Sequence, residues 1–179
     1  NNPEKSLIYR ENALKLWTAG KSFDNISYAY NSIGTSYIAL KLYDKAKNYF
    51  QQSLALCRQE GNKRKLAMVY DCFGHLYDEL NKPDSTLFYS LQALDIWNAT
   101  SPNSSMAIDC NGFIGEAYLK LALNDSLLNT FKNNPEFTRE NLLRKAEAYT
   151  RKAVEIADST SDISFSPLYG KILADVYEQ

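Results

Sequence analysis

Apolar and small residues in this chain recur at i, i+3, i+4 and i+7, the spacing of one face of a helix rather than the two-residue alternation of a strand. Tyr30, Ile33, Gly34 and Tyr37 form one such stripe. Tyr49, Ser53, Leu54 and Leu56 form the next. Breakers separate the stripes: "SFDN" at 22–25, "EGNK" at 60–63, "NKPD" at 81–84 and "TSPNSS" at 100–105. Pro83 and Pro102 suit the first turn of a helix, where the missing N–H costs nothing. The predicted unit is a helix A, a tight turn and a helix B.

The unit repeats. A shift of 40 residues lays Tyr30, Gly34 and Tyr37 on Tyr70, Gly74 and Tyr77, and a further shift of 41 reaches Gly115 and Tyr118. After a longer gap come Ala174 and Tyr177. The B stripes repeat as well: Tyr9, Tyr49, Tyr89 and Tyr149 share a column, as do Leu16, Leu56, Ile96 and Ile156. Small residues hold two further columns, one of Ser6, Ala46, Thr86 and Ala146, the other of Ala13, Ser53, Ala93 and Ala153.

A glycine inside a helix costs about 1 kcal/mol relative to alanine. Repeating it at Gly34, Gly74 and Gly115 implies a compensating gain, which close approach of two helices supplies. Leucine at Gly34 or Gly74 is expected to cost roughly 1–3 kcal/mol through overpacking.

One interval breaks the period. Gly115 to Ala146 spans 31 residues, against 12 for Gly34 to Ala46. The extra sequence, "NDSLLNTFKNNPEFTREN", reads as an insertion over 124–141. In it, "DSLLNTF" is expected to extend the preceding helix or to form a short one. Asn134-Pro135 reads as a cap and first position, so the last B helix is expected to start there and run to about residue 159.

The repeated residues resemble the tetratricopeptide repeat, W-x2-L-G-x2-Y followed by A-x3-F. The copies here are Tyr30-x2-Ile33-Gly34-x2-Tyr37 with Ala46-x3-Phe50, and Tyr70-x2-Phe73-Gly74-x2-Tyr77 with Thr86-x3-Ser90. A third is Asn111-x2-Ile114-Gly115-x2-Tyr118 with Ala146-x3-Thr150, and a half copy is Gly170-x2-Leu173-Ala174-x2-Tyr177. The resemblance implies an all-α, right-handed solenoid of about three and a half helix pairs. Its expected parts are a half repeat at 1–21, repeats at 22–61 and 62–100, a repeat with the insertion at 101–160, and a half repeat at 161–179. The closing proline of the motif is absent and the period is 40 rather than 34, so the B helices should be longer than usual.

Composition narrows the picture. The 179 residues are 45% hydrophobic and 23% charged, with a net charge of −1, which offers no bulk attraction to nucleic acid or anionic lipid. No apolar run approaches the ~18 residues of a membrane helix. Cys57, Cys72 and Cys110 form no metal or disulfide pattern. No phosphate loop, nucleophile elbow or metal-protease motif occurs, so no enzyme, cofactor or metal site is expected.

Function should then lie on the face that the A helices leave to a ligand, the concave side of such arrays. About a third of a turn from the packing stripe, the A helices present Tyr28, Asn31, Thr35 and Ile38; then Met68, Asp71, His75 and Asp78; then Asp109, Gly112, Glu116 and Leu119; then Leu168, Lys171, Asp175 and Glu178. Six carboxylates against one lysine predict an acidic groove that takes a basic or neutral polar protein or peptide. Asp71 and Asp78 are expected to raise the pKa of His75, and Gly112 to leave an opening for ligand backbone. The clamp by which one subclass of the resembled family grips a C-terminal carboxylate is not expected here, because Asp71 and Asp109 would repel it.

The long period and phrases such as "NKPDSTLFY" also resemble sensory or assembly segments of larger bacterial signalling proteins, which favours an extracytoplasmic setting. The alternative reading is an assembly scaffold, with contacts made by the insertion and by the terminal helices. There Leu173, Val176 and Tyr177 are expected to form an apolar edge that permits self-association.

Overall fold

The computed structural model describes residues 3–20, 23–160 and 166–178. Among them the chain forms α-helices and no strand. In order these are α1 (Pro3–Ala19), α2 (Phe23–Ala39), α3 (Tyr43–Glu60), α4 (Lys63–Glu79), α5 (Pro83–Thr100), α6 (Ser105–Ala122), α7 (Asp125–Thr130), α8 (Arg139–Thr160) and α9 (Ser166–Tyr177). The A helices are α2, α4, α6 and α9; the B helices are α1, α3, α5 and α8. The expected solenoid of antiparallel helix pairs is observed.

Local chemistry sets the helix ends. In the first two repeats, helix A stops at a left-handed residue, Lys41 (φ 58°) or Asn81 (φ 52°). The next amide then reaches back five residues, Leu42 N–H to the Tyr37 carbonyl at 2.9 Å and Lys82 N–H to the Tyr77 carbonyl at 2.8 Å. These bonds satisfy carbonyls that the helix end would otherwise orphan. Pro83 opens α5 as expected. Pro102 lies in the turn before α6, because the Ser104 side chain accepts from the Ala107 amide and places the cap two residues later.

Packing follows the glycine columns. A Cβ on Gly34 would stand 2.3 Å from the Phe50 ring, one on Gly74 2.5 Å from the Ser90 hydroxyl, and one on Gly115 2.2 Å from the Thr150 hydroxyl. Each glycine lies where α2, α4 or α6 crosses its own B helix, α3, α5 or α8. The main core runs through the stack, with Ile33, Phe50, Leu76, Trp97 and Ile114 each no more than 1% exposed, and Leu121, Ala122 and Leu142 form a smaller cluster against α7.

Each A helix also touches the next A helix, α2 to α4, α4 to α6 and α6 to α9, while the B helices make no comparable contacts with one another. The A helices therefore lie on the inside of the curve.

Two expectations need correction, and one left open is resolved. The last B helix begins at Arg139, not at Pro135: the Thr138 hydroxyl accepts from the Asn141 amide, while Asn134 caps only a turn by accepting from the Glu136 amide. Within the insertion, the short segment is a helix of its own, α7, capped by Asn124. Val176 does not belong to an apolar edge. Tyr169, Ile172 and Val176 follow helical spacing and are all buried on the side of α9 that meets α6 and α8. Only Tyr177 of that expected edge is fully exposed, with its hydroxyl held by Glu147 and Arg151.

Candidate functional site

Among the described residues, two clefts open on the inside of the curve, both between A helices. The first, of about 240 Å³, lies between the starts of α2 and α4. Its walls are Ser27, Tyr28 and Asn31 from α2 and Arg64, Lys65 and Met68 from α4, with the α4 cap Asn62 at the end. The second, of about 300 Å³, lies one to two turns further along. It is bounded by Thr35, by Asp71, Cys72 and His75, and by Asp109 and Phe113. Helical spacing brings these residues together: Tyr28, Asn31 and Thr35 descend one face of α2, and Met68, Asp71, Cys72 and His75 one face of α4.

In the first cleft, Asn31 is only 7% exposed, and its side-chain Oδ1 has no hydrogen-bond partner. A buried amide oxygen without a donor costs about 1–3 kcal/mol. Cations stand at the mouth. The Arg64 guanidinium lies over the Trp97 ring at 5.7 Å, and Lys65 is paired with Glu60 at 2.6 Å.

In the second cleft, the Asp71 carboxylate ties three helices. Trp97 Nε1 of α5 donates to Oδ2 at 2.7 Å, and Cys110 Sγ of α6 donates to Oδ1 at 2.6 Å. Burial pushes the Asp71 pKa up to about 7, against the opposing pull of its bonds from Cys110 and Trp97, and the Asp109 charge adds to the rise. The neighbouring Cys72 thiol is pushed up to about 12, mainly by burial. The Cys110 thiol is raised by burial and by Asp71. Burial also raises the Cys57 thiol, so none of the three cysteines is a ready thiolate.

His75 reverses the expectation. Its pKa is lowered, not raised, because burial outweighs Glu79 and Asp78. Its ring stacks on Phe113 at 5.7 Å, and Glu79 Oε1 is 3.8 Å from Nε2.

The acidic stripe is also partly neutralised. Lys120 Nζ lies 2.7 Å from Asp78 and 2.9 Å from Glu116, bridging α4 and α6. Burial works against this ammonium, but its bonds to the two acids outweigh it and its pKa is raised.

Tyr28, Asn31, Thr35, Met68, Asp71, His75 and Asp109 thus line the two clefts as a set. Asp78 and Glu116 sit on Lys120 instead. Gly112 is not an opening: the Tyr169 ring covers it, and a Cβ there would lie 2.2 Å from Cε1. Ile38 and Leu119 belong to the core. Lys171 is exposed and Asp175 half-buried on α9, outside either cleft. The side chain of Leu168 lies outside those described. Sequence reasoning missed Arg64, Lys65, Cys72 and Phe113. The first two were detectable as basic residues a turn before Met68.

Among the described residues, no group of His, Cys, Asp and Glu side chains is arranged to hold a metal ion, and no helix is long and apolar enough to cross a membrane.

Residues 25–99 match a family model described as tetratricopeptide repeat. No curated protein matches the chain. Among solved structures, the chain is similar to BtubC (BKLC) from P. vanneervenii, at a TM-score of 0.66 and 15% identity. The likeness covers 87% of this chain and 57% of that one, so the chain spans little more than half the length of that structure. At this identity the likeness shows the fold: a helical repeat stack.

Proposed function

We propose that this chain, whose residues 25–99 are tetratricopeptide repeats, holds an extended segment of a partner protein in the two clefts on its inside. Repeats of this family generally act as protein-interaction scaffolds, and the reading here adds where and how. Asn31 carries it. An amide oxygen that is buried, lacks a donor and stands in a cleft is completed by a backbone N–H from outside.

The ligand chemistry follows from the walls. Lys120 offsets Asp78 and Glu116, and Asp71 is partly protonated near neutral pH. The inside therefore favours neutral polar segments. A basic side chain is favoured at the second cleft, beside Asp109, and an acidic one at the first, beside Arg64. We place this work in a larger signalling protein, the context that the long repeat period suggests.

The test is an array of extended peptides of basic, acidic and neutral polar composition, read against the wild type and Asn31→Leu. Leucine keeps the volume and removes the acceptor. Loss of about 1.4 kcal/mol, tenfold in affinity, is expected. Undiminished binding by Asn31→Leu would remove the basis of the reading.

A second reading rests on the insertion, where Phe131 is 45% exposed and packs on Phe137 at 4.9 Å. If Phe131→Ala abolishes partner association and Asn31→Leu does not, the insertion is the contact.

A further inference from the structure

The outer side of the stack carries a third cleft, of about 370 Å³, lined by Leu94 and Asn98 of α5, Asn111 of α6, and Ala148, Tyr149 and Lys152 of α8. What fits it can be read from the sister repeats.

In each of the first two repeats, the B-helix tyrosine is flanked by two tyrosines from helix A. Tyr49 stacks on Tyr37 at 5.5 Å and meets Tyr30, tilted by 50°, at 6.1 Å. Tyr89 stacks on Tyr77 at 5.4 Å and meets Tyr70, tilted by 45°, at 6.1 Å.

The third repeat keeps only half of this arrangement. Tyr149 stacks on Tyr118 at 5.8 Å with an interplanar angle of 23°, and the place of Tyr30 and Tyr70 is taken by Asn111. A second shrinkage lies beside it. Phe88, whose ring meets Tyr89 edge-on at 5.0 Å, corresponds to Ala148. Relative to the second repeat, two ring-sized side chains are thus replaced by smaller ones, Asn111 and Ala148, and both line the cleft; the first repeat keeps the tyrosine but has Asn48 at the place of Phe88.

The geometry points to an aromatic docking site, in which a tyrosine side chain of a partner protein enters the cleft and restores the missing third ring against Tyr149. The walls suit such a guest. Tyr149 offers a ring face that Tyr118 leaves open on one side. Leu94 offers apolar contact, being itself 6% exposed. Asn111, 3% exposed, donates one amide N–H to the Ala107 carbonyl at 2.7 Å, and its own carbonyl oxygen is then the acceptor for a phenol O–H. Tilted and offset ring pairs at this separation add favourable electrostatics to the buried area. The proposal is independent of the inner clefts, since none of its residues lines either of them.

The experiment titrates the 179-residue chain with p-cresol, the side chain of tyrosine, and follows amide and side-chain NMR shifts. Saturable shifts centred on Tyr149, Asn111 and Lys152 are expected. Two variants close the cleft with residues that its sisters already use. Ala148→Phe acts at an exposed position and should leave the melting temperature unchanged; Asn111→Tyr restores the buried ring. Either should weaken p-cresol binding at least ~10-fold while binding at the inner clefts is retained. Absence of saturable shifts in the wild type would overturn the site, as would equal binding by Ala148→Phe. A self-associated species that p-cresol disperses would overturn the choice of partner, because this chain's own tyrosine would then be the guest.

Discussion

The second and third repeats are built on one plan and differ in how closely their helices meet. At Gly74 the space toward α5 is bounded by the Ser90 hydroxyl, with the nearest α5 backbone atom 3.8 Å from an added Cβ. At Gly115 the α8 backbone itself is near, Thr150 N at 3.1 Å and the Ala146 carbonyl at 3.2 Å. The same motif glycine thus answers to a movable group in one repeat and to main chain in the other. Where the A and B helices close up most, at α6 and α8, the repeat has also given up its third tyrosine and accepted the insertion. Tight crossing and a full aromatic column are therefore separable features of this fold.

Alanine at the two glycines tests that contrast most sharply. Gly115→Ala should destabilise the chain by about 2–4 kcal/mol, because α8 must move away as a whole. Gly74→Ala should lie within about 1 kcal/mol of neutral, since the Ser90 hydroxyl can turn aside and alanine recovers helix propensity. Denaturant midpoints measure both, and equal effects would end the distinction.

Asp71, which joins α4 to α5 and α6, sharpens the comparison through pH. Its pKa is raised in the folded chain to about 7, so between roughly pH 4 and 7 the native state holds a proton that the unfolded state has released. The stabilisation is full below the unfolded pKa and is lost as pH rises through 7. Asp71→Asn should remove this decline, gaining about 1–3 kcal/mol at pH 8 relative to pH 5 when compared with the parent. His75, whose pKa is lowered by burial, acts in the opposite sense: its contribution is present above its ordinary pKa and is lost as pH falls below it. The decline between about pH 4 and 7 that disappears in Asp71→Asn is thus the readout of Asp71.

The turns give the smallest effect. Lys41 occupies a left-handed position at a cost that glycine avoids. Lys41→Gly should stabilise by about 0.5–1 kcal/mol. Asn81 tolerates the same backbone better, so Asn81→Gly should gain less. Thermal melts of the two variants order them.

Columns were what the sequence displayed well. The glycines, Tyr37, Tyr77, Tyr118 and the small residues facing them all stand where periodicity put them, because a repeat buries the same face each time. The inner stripe was legible as a set of positions but not as an electrostatic surface. Lys120 reaches Asp78 from 42 residues away, across two helices, and a helical wheel of α4 contains no such partner. Asp71 reads as a groove acid until Trp97 is placed over it. Of the other residues in the Trp97 column, Cys57 and Ala157 carry no such donor, and Trp17 alone repeats the indole. A clue existed in the spacing of 26 residues that joins Asp71 to Trp97 and Ser27 to Ser53. Gly112 was misread because its cover, Tyr169, lies 57 positions onward in the next A helix.

Among the described residues, no helix packs closely on one more than three places away along the chain. Held by its two ends and drawn apart, such a molecule has no central knot to burst. It should lengthen in several weak yields, with the loosest junctions opening before α6 and α8, and recover them in turn as tension falls.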